Sequence, residues 1–228
     1  MRRLTLAVVI TAALSVSSSA AAQTSSGGGA AELYHAHFVK AALGKLNDLI
    51  AAYTSAPVPA GEQKPIILRH REGDDWDLLV LTPFGKAAST VSATVPPDIQ
   101  SQYAKIRANS ERHTDSFVAG PPWAQAQKAF GSDAGGVYVV GVYRSANGHR
   151  DQLGQALDSI AASGPAGRTA TFRHVEGGPF DFIQITHFDS WNAIDAPGAG
   201  QTDPQAQSLE LRRHMAEHHD TICIRVGQ

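Results

Sequence analysis

The chain contains the sequence LRHREGDDWDLLVLTPF at Leu68–Phe84 and a related sequence, FRHVEGGPFDFIQITHF, at Phe172–Phe188. The two stretches align without a gap at an offset of 104 residues. Seven of the 17 aligned positions are identical: Arg69/Arg173, His70/His174, Glu72/Glu176, Gly73/Gly177, Asp77/Asp181, Thr82/Thr186 and Phe84/Phe188. Each stretch has the pattern of two strands joined by a tight turn, at Gly73–Asp75 and at Gly177–Pro179. This internal repeat predicts that the chain contains two copies of one structural unit.

The segments around the repeat follow the same order in both halves. A strand-like segment, Leu33–Lys40 or Val137–Arg144, precedes a helix in which apolar residues recur at helical spacing. The hairpin is followed by helices predicted from Asp98 to about His113 and from Ser208 to about His219, and by strands at Phe117–Val118 and Ile222–Val226. The order β-α-β-β-α-β is that of a ferredoxin-like unit. We therefore predict an α+β fold of two tandem ferredoxin-like repeats.

Two such units in one chain resemble the dimeric α/β-barrel superfamily, here as a fused pseudo-dimer. The resemblance covers the chain from about Leu33 to its last residue and rests on element order and duplication. Members of the superfamily include cofactor-free monooxygenases, isomerases, degradative enzymes and haem proteins. The resemblance therefore implies a barrel that binds a small molecule, and it does not select an activity.

The predicted organisation begins with an export signal. Residues 1–22 are predicted to be a signal peptide, because Arg2 and Arg3 precede a short apolar run and Ala20–Ala22 form a small-residue cleavage site. Cleavage after Ala22 predicts a periplasmic or secreted protein. No stable membrane insertion is expected, because the apolar run is shorter than the about 20 residues of a spanning helix. A flexible leader at 23–31, a first repeat at 32–119, a linker at 120–136 and a second repeat at 137–228 complete the predicted organisation.

The amino-acid composition restricts the possible partners of the protein and says less about its fold. The 19 Lys and Arg residues do not exceed the 21 Asp and Glu residues, which argues against nucleic acid as a partner. The single cysteine, Cys223, cannot form an internal disulfide and is expected to be a buried strand residue. The chain contains ten histidines beside that one cysteine, so the histidines are the main candidates for functional residues.

Strand alternation sorts the repeat into two faces. One face, which includes Leu68, Leu79 and Leu81 in the first repeat, is uniformly apolar away from the turn and is expected to pack against the helices. The other face mixes large apolar and polar groups, as ligand pockets do. Its candidate ligand-binding residues are Arg69, Trp76, Thr82, Arg173, Gln184 and Thr186. On the first strand, Tyr34, Ala36 and Phe38 are expected to face the helices, which places His35 and His37 in the barrel interior.

The interior His/Arg pocket predicted in this way has two histidines as its catalytic candidates. His35 and His37 point the same way and could move a proton or bind a metal ion. Arg69 or Arg173 would hold an anionic oxygen. The function predicted is a small-molecule-binding protein, with a cofactor-free oxygenase or isomerase as its enzymatic form. The alternatives are a non-catalytic ligand- or haem-binding protein and a structural module whose cavity is filled. No cofactor is required, haem is the alternative cofactor, and further oligomerisation remains open.

Two other histidine patterns have structural interpretations. His70, Glu72 and Asp77, repeated in the second half, are expected to form a solvated hydrogen-bond network at the hairpin. His214 to His218 spells the metallopeptidase pattern H-x-x-E-H, but no glutamate follows Glu217, so a surface helix is expected there and adventitious zinc binding stays open. The sequence therefore predicts no metal site. In the linker, Trp123 and Phe130 are expected to pack on the surface of the fold.

Overall fold

The computed structural model describes residues 31–58, 63–85, 97–130, 136–164, 168–194 and 204–227, with the side chains of 204–207 excepted. The predicted signal peptide and all but one residue of the predicted leader lie outside these described residues. Residues 86–96 and 195–203, in the connections between the third strand of each half and its second helix, also lie outside the described residues.

The elements follow the predicted order in both halves, with one further helix between them. The first half contains β1 (Glu32–Ala41), α1 (Leu46–Thr54), β2 (Ile66–Glu72), β3 (Leu78–Gly85), α2 (Pro97–Asn109) and β4 (Ser110–Gly120). The helix α3 (Trp123–Phe130) follows. The second half contains β5 (Val137–Ser145), α4 (Arg150–Ser163), β6 (Thr169–Gly177), β7 (Phe182–Phe188), α5 (Pro204–His214) and β8 (Met215–Arg225), with a short 3-10 helix at Trp191–Ala193.

The eight strands close into one antiparallel barrel with the order β1-β3-β2-β8-β5-β7-β6-β4. Each half contributes four consecutive strands, β4-β1-β3-β2 and β8-β5-β7-β6, which is the same order in both repeats. The halves join where β2 pairs with β8 and where β4 pairs with β6. The predicted α+β pseudo-dimer of ferredoxin-like repeats is therefore confirmed.

The closing strands are longer than predicted and their preceding helices end earlier. Helix α2 ends at Asn109 instead of about His113, and α5 ends at His214 instead of about His219. The strands β4 and β8 each have 11 residues. The polar segments that begin these strands lack the apolar alternation of a half-buried strand, because their side chains are mostly exposed.

The barrel interior is a packed apolar core to which all eight strands contribute. Tyr34, Phe172 and Tyr138 are fully buried in it. The interior position of Tyr34, Ala36 and Phe38 corrects the prediction that these residues face the helices. A cluster with members from every strand of a closed barrel can only lie inside it, so the face sorting of the first strand is inverted.

The linker helix α3 closes one end of this core. Trp123 and Phe130 are 8% and 0% exposed and belong to the interior cluster, which corrects their predicted position on the surface. The Tyr34 hydroxyl donates to the carbonyl of Pro121, and the Tyr138 hydroxyl donates to the carbonyl of Phe130 at 2.6 Å. A tyrosine from each half therefore anchors one end of the linker helix.

The helices cover the outer face of the strands. Val39, Leu78 and Val80 pack with Leu49 of α1 in the first half. Phe182 packs with Leu157 of α4 in the second half. In the repeat itself, Leu68, Leu79 and Leu81 lie inside the barrel, although they had been expected to face the helices. The middle of β3 and of β7 is buried on both faces, so hydrophobicity alone cannot tell the interior from the helix layer there.

The duplicated glycines allow the hairpins to lie close to the neighbouring half. Gly73 and Gly177 have φ values of 125° and 109°, which side chains rarely adopt. A Cβ atom at Gly73 would lie 2.6 Å from the carbonyl oxygen of Asp220, and one at Gly177 would collide with that of Asp115. The repeated glycine thus serves the junction between the halves as well as the turn.

Candidate functional site

A cleft of about 140 Å³ opens at the end of the barrel formed by the two hairpin turns, opposite the end closed by α3. We call it the mouth cleft. Its floor is apolar and comes from the interior core: Phe38, Trp76, Val142 and Phe180. Its rim is polar and consists of Lys40, Asp74, Asp75, Arg112, His113 and Thr114 beside Pro179. Both halves of the chain therefore contribute to this site.

The floor of the mouth cleft consists mainly of edge-to-face aromatic rings. The ring of Phe38 lies 5.3 Å from that of Trp76 and 5.8 Å from that of Phe180, at interplanar angles of 71° and 73°. Such contacts hold the rings in fixed orientations. Arg112 forms an ion pair with Asp75 across the rim. The cleft is thus a rigid apolar floor below a rim that carries both signs of charge.

Buried polar atoms near this floor lack hydrogen-bond partners among the described residues. They are Nε1 of Trp76, Nε2 of His70 and Nε2 of His174. The His70 ring lies 5.8 Å from that of Trp76, and the His174 ring lies 5.5 Å from that of Phe180. A buried polar atom without a hydrogen-bond partner is costly, so a polar group or a water molecule near these atoms would stabilise them.

Among the six predicted ligand-binding residues, only Trp76 lines the mouth cleft. It precedes β3 and lies in the turn, where strand alternation does not apply. The others lie on the outer face of the strands: Arg69, Thr82, Arg173, Gln184 and Thr186. The predicted interior His/Arg pocket is therefore not formed, and this corrects the position given to its arginines.

The mid-strand polar groups of the second half are satisfied by the helix layer. Arg173 forms an ion pair with Asp158 of α4 at 2.7 Å, and its guanidinium occupies the space that a side chain at Gly154 would need. Gln184 donates to the carbonyl of Leu157 at 3.0 Å. These contacts explain why polar residues occur in mid-strand without a cavity.

The two catalytic candidates, His35 and His37, lie on the outer face of β1 rather than in the barrel. Val39 shares their face and packs against the helices, and the His37 ring lies 6.0 Å from the ring of Tyr53 on α1. The structure places both histidines beside Asp115 of β4. His35 Nε2 lies 2.7 Å and His37 Nδ1 lies 2.6 Å from the same oxygen, Asp115 Oδ1.

A third histidine completes this outer cluster. His113 Nε2 lies 3.2 Å from Oδ2 of Asp115, the second oxygen of the same carboxylate. His113 also lines the mouth cleft, so the cluster and the cleft are neighbours. Asp115 and the role of His113 were not predicted from the sequence. A β4 predicted over its full length would have placed both residues on one face beside β1, because residues two apart share a face.

Burial and charge set the protonation of His37 and Asp115. Burial lowers the pKa of His37 and outweighs the opposing effect of Asp115, so its neutral form is favoured. Burial alone would raise the pKa of Asp115, but hydrogen bonds and charge from His37 and His35 hold this pKa below its usual range. Burial raises the pKa of the Tyr53 hydroxyl, and the charge of Asp115 adds to this shift. Neutral imidazole beside an ionised carboxylate is the state that binds metal ions.

Two histidine patterns remain, the duplicated His70 and His174 and the H-x-x-E-H segment. The backbone amides of His70 and His174 donate to the carbonyls of Asp77 and Asp181, at 2.9 and 2.8 Å. The H-x-x-E-H segment does not form the predicted helix: His214 ends α5, and His218 lies in β8. The change from helix to strand removes the i, i+4 spacing that would bring the two rings together.

Comparison with solved structures shows the fold. The chain is similar to a proposed monooxygenase from Lactobacillus acidophilus NCFM, with a TM-score of 0.58 and 9% identity over 86% of this chain and 94% of that one. It is also similar to an anthrone oxidase-like protein, with a TM-score of 0.56 and 13% identity over 88% and 93% of the two chains. A chlorite dismutase variant from Candidatus Nitrospira defluvii has a TM-score of 0.50 at 11% identity, over 86% and 91%.

The chain thus has the fold of a dimeric α+β barrel, in which the two repeats of one chain take the places of the two subunits. Neither a protein family nor a curated protein matches the chain by sequence. In the part of the chain that the structure describes, none of the helices combines the length and the apolar character needed to cross a membrane.

Proposed function

We propose that this protein binds a small molecule in the mouth cleft of its barrel. The observation that carries the proposal is the indole of Trp76. Its ring forms part of the cleft floor, and its buried Nε1 has no acceptor among the described residues. A ligand oxygen in the cleft would accept that hydrogen bond once a small rotation of the indole exposes Nε1.

The size and the chemistry of the cleft define the class of ligand. A cavity of about 150 Å³ holds a benzene molecule, so the mouth cleft of about 140 Å³ suits a single ring. Phe38, Trp76 and Phe180 would contact the ring, and the polar rim would face its substituents. We therefore propose a single-ring aromatic compound with an oxygen acceptor, such as a phenol or a hydroxybenzoate.

Titration followed by ¹⁵N NMR tests the proposal, because each tryptophan gives one indole signal. The chain has three tryptophans, and the Trp76 signal is assigned as the one missing in Trp76→Phe. A phenol and hydroxybenzoate panel should shift the Trp76 signal in a saturable way and leave the signal of exposed Trp191 in place. Trp76→Phe keeps a ring in the floor but loses the donor, so affinity should fall about 3- to 10-fold. A panel that leaves the Trp76 signal unmoved at millimolar concentration would refute the proposal.

A structural module with a filled barrel is the second candidate. The complete burial of Tyr34, Phe130, Tyr138 and Phe172 favours it, because these four rings belong to the packed interior core. The same packing does not fit haem, whose macrocycle is far larger than a benzene-sized cleft. Saturable binding of the aromatic panel at Trp76 distinguishes the ligand-binding protein from the structural module.

We also propose export, on the sequence pattern at the N-terminus alone. Arg2 and Arg3, the apolar run and Ala20–Ala22 support it. N-terminal sequencing of the protein from an exporting host should begin at Gln23. A mature chain that retains Met1 would contradict the proposal.

A further inference from the structure

The outer cluster of His35, His37 and Asp115 has the composition and the spacing of a metal-ion site. The three residues each offer one ligand atom, and these atoms all lie within 4.8 Å of one another. Strand pairing sets this proximity, because His37 of β1 lies directly opposite Asp115 of β4. His35, two residues earlier on β1, points to the same side. The backbone of two paired strands therefore brings the ligand atoms together before any ion binds.

We propose that His35, His37 and Asp115 bind one divalent transition-metal ion, with Zn²⁺ and Co²⁺ as its probes. Two imidazoles and one carboxylate form a donor set that suits zinc, cobalt, nickel or iron rather than the oxygen-bound magnesium and calcium ions. Metal–ligand bonds of about 2.0–2.2 Å place tetrahedral ligand atoms about 3.3–3.6 Å apart, so small side-chain rotations would admit the ion.

The surroundings of the cluster fit a bound ion with open coordination positions. The side chains of His35, His37 and Asp115 are 29%, 14% and 45% exposed, so an ion can enter from solvent and can retain water. His113 holds the second oxygen of Asp115, which orients the carboxylate. The buried hydroxyl of Tyr53, whose ring lies beside His37, has no hydrogen-bond partner among the described residues. A metal-bound water near His37 would supply one.

The second repeat shows that the fold does not require these side chains. Its positions equivalent to His35, His37 and Tyr53 hold Val139, Gly141 and Leu157. The equivalents of Asp115 and His113, which are Asp220 and His218, are retained. The Tyr143 ring covers Gly141, since its hydroxyl lies 2.6 Å from the position of a Cβ there. The same strands thus fold with an apolar arrangement in one half and with a ligand set in the other.

Metal titration of the full chain, produced without a histidine tag, tests the proposal. Calorimetry with Zn²⁺ should give one ion per chain, and Co²⁺ should give a visible absorption band with the same stoichiometry. Asp115→Asn and His37→Ala should each weaken binding about 100-fold or more, because a ligand is lost where loss of a supporting group already costs about 10- to 100-fold. His35→Val introduces the type of residue found at the equivalent position, Val139. It should weaken metal binding to the same extent and leave the unfolding midpoint in urea unchanged.

Two controls separate this site from other causes of metal binding. A His214→Ala/His218→Ala double variant removes the other histidine pattern and should bind Zn²⁺ as the original chain does. Trp76→Phe should also bind Zn²⁺ normally, so failure of the mouth-cleft proposal leaves the metal site unaffected. The proposal is overturned if the original chain gives neither heat nor absorption with millimolar ions. It is equally overturned if His35→Val and Asp115→Asn bind unchanged, or if only the double variant loses binding.

Discussion

Asp77 and Asp181 show why single residues of the repeat are duplicated. The backbone amide of Asp77 donates to the carbonyl of Val39, and its carboxylate accepts from the amide of Ala41 at 2.8 Å. Asp181 does the same with Tyr143 and with Ser145, also at 2.8 Å. Each aspartate thus ties the hairpin to the end of the first strand of its half. The duplicated aspartate therefore has a structural role, which involves neither a metal ion nor a ligand.

Asp181→Asn should reduce the loss of stability in acid. Burial would raise the pKa of Asp181, but hydrogen bonds from Ser145 and the charges of Arg150 and His174 hold it below its usual range. A carboxylate with a lowered pKa stabilises the fold above its unfolded pKa of about 4 and loses this effect as the pH falls through its folded pKa. The difference in unfolding free energy between the original chain and Asp181→Asn should therefore shrink from pH 7 to pH 3.

Urea unfolding followed by circular dichroism at both pH values measures this difference. Asp151→Asn, at an exposed position on α4, is the control for the loss of one negative charge. A difference between Asp181→Asn and the original chain that stays constant with pH would contradict the prediction.

Helix α3 shows how an element outside the two repeats completes the fold. A ferredoxin-like pair leaves both ends of the barrel open, and α3 fills one of them with Trp123, Ala126, Ala129 and Phe130. These residues recur at helical spacing, which gives the helix one apolar face. The Phe130 ring stacks on Phe172 of β6 at a centroid distance of 6.3 Å. The linker is therefore part of the core. Its helix closes one end of the barrel, and the mouth cleft lies at the other end.

Phe130→Ala should lower the unfolding free energy by about 3–5 kcal/mol, the usual cost of removing a buried phenylalanine. The side chain is 0% exposed and lies against the interior core, so little solvent can replace it. Chemical denaturation measures the loss. Gln127→Ala, on the exposed face of the same helix, should change the value by less than about 0.5 kcal/mol. Equal effects of the two substitutions would show that α3 does not close the core.

The whole molecule is one barrel with one interior, although the chain contains two repeats. Strands β2 and β4 of the first half pair with β8 and β6 of the second. Residues of both halves form the interior cluster, and neither half buries that surface alone. The two repeats should therefore unfold together as one cooperative unit.

Leu157→Ala tests this cooperativity because the residue lies in the helix layer of the second half. It is fully buried, and its truncation should cost about 2–5 kcal/mol. The buried tryptophans, Trp76 and Trp123, lie in the first half and in the linker. Their fluorescence should report the same lowered urea midpoint as circular dichroism does. Gln155→Ala, exposed on the same helix, is the control. A fluorescence transition that keeps its original midpoint would show that the halves unfold independently.

Much of the architecture could be predicted because it is written in local patterns. The repeat of Leu68–Phe84 predicted the duplication, and the segment order predicted the unit. Cys223 is buried in a strand, as expected. The site was harder to predict, because Asp115 lies 78 residues from His37 and only the pairing of β1 with β4 brings them together.

The sequence by itself determined the fold class and the positions of the strands other than β4 and β8, because side-chain alternation within a strand depends on neighbouring residues. Only the tertiary structure decided which face is interior. The middle of β3 and of β7 is buried on both faces, so the choice depends on how the barrel closes and where the helices pack. His35 and His37 therefore lie on an outer surface beside Asp115 and not in the predicted cavity. The same choice left Trp76, a residue of the turn, in the floor of the open mouth.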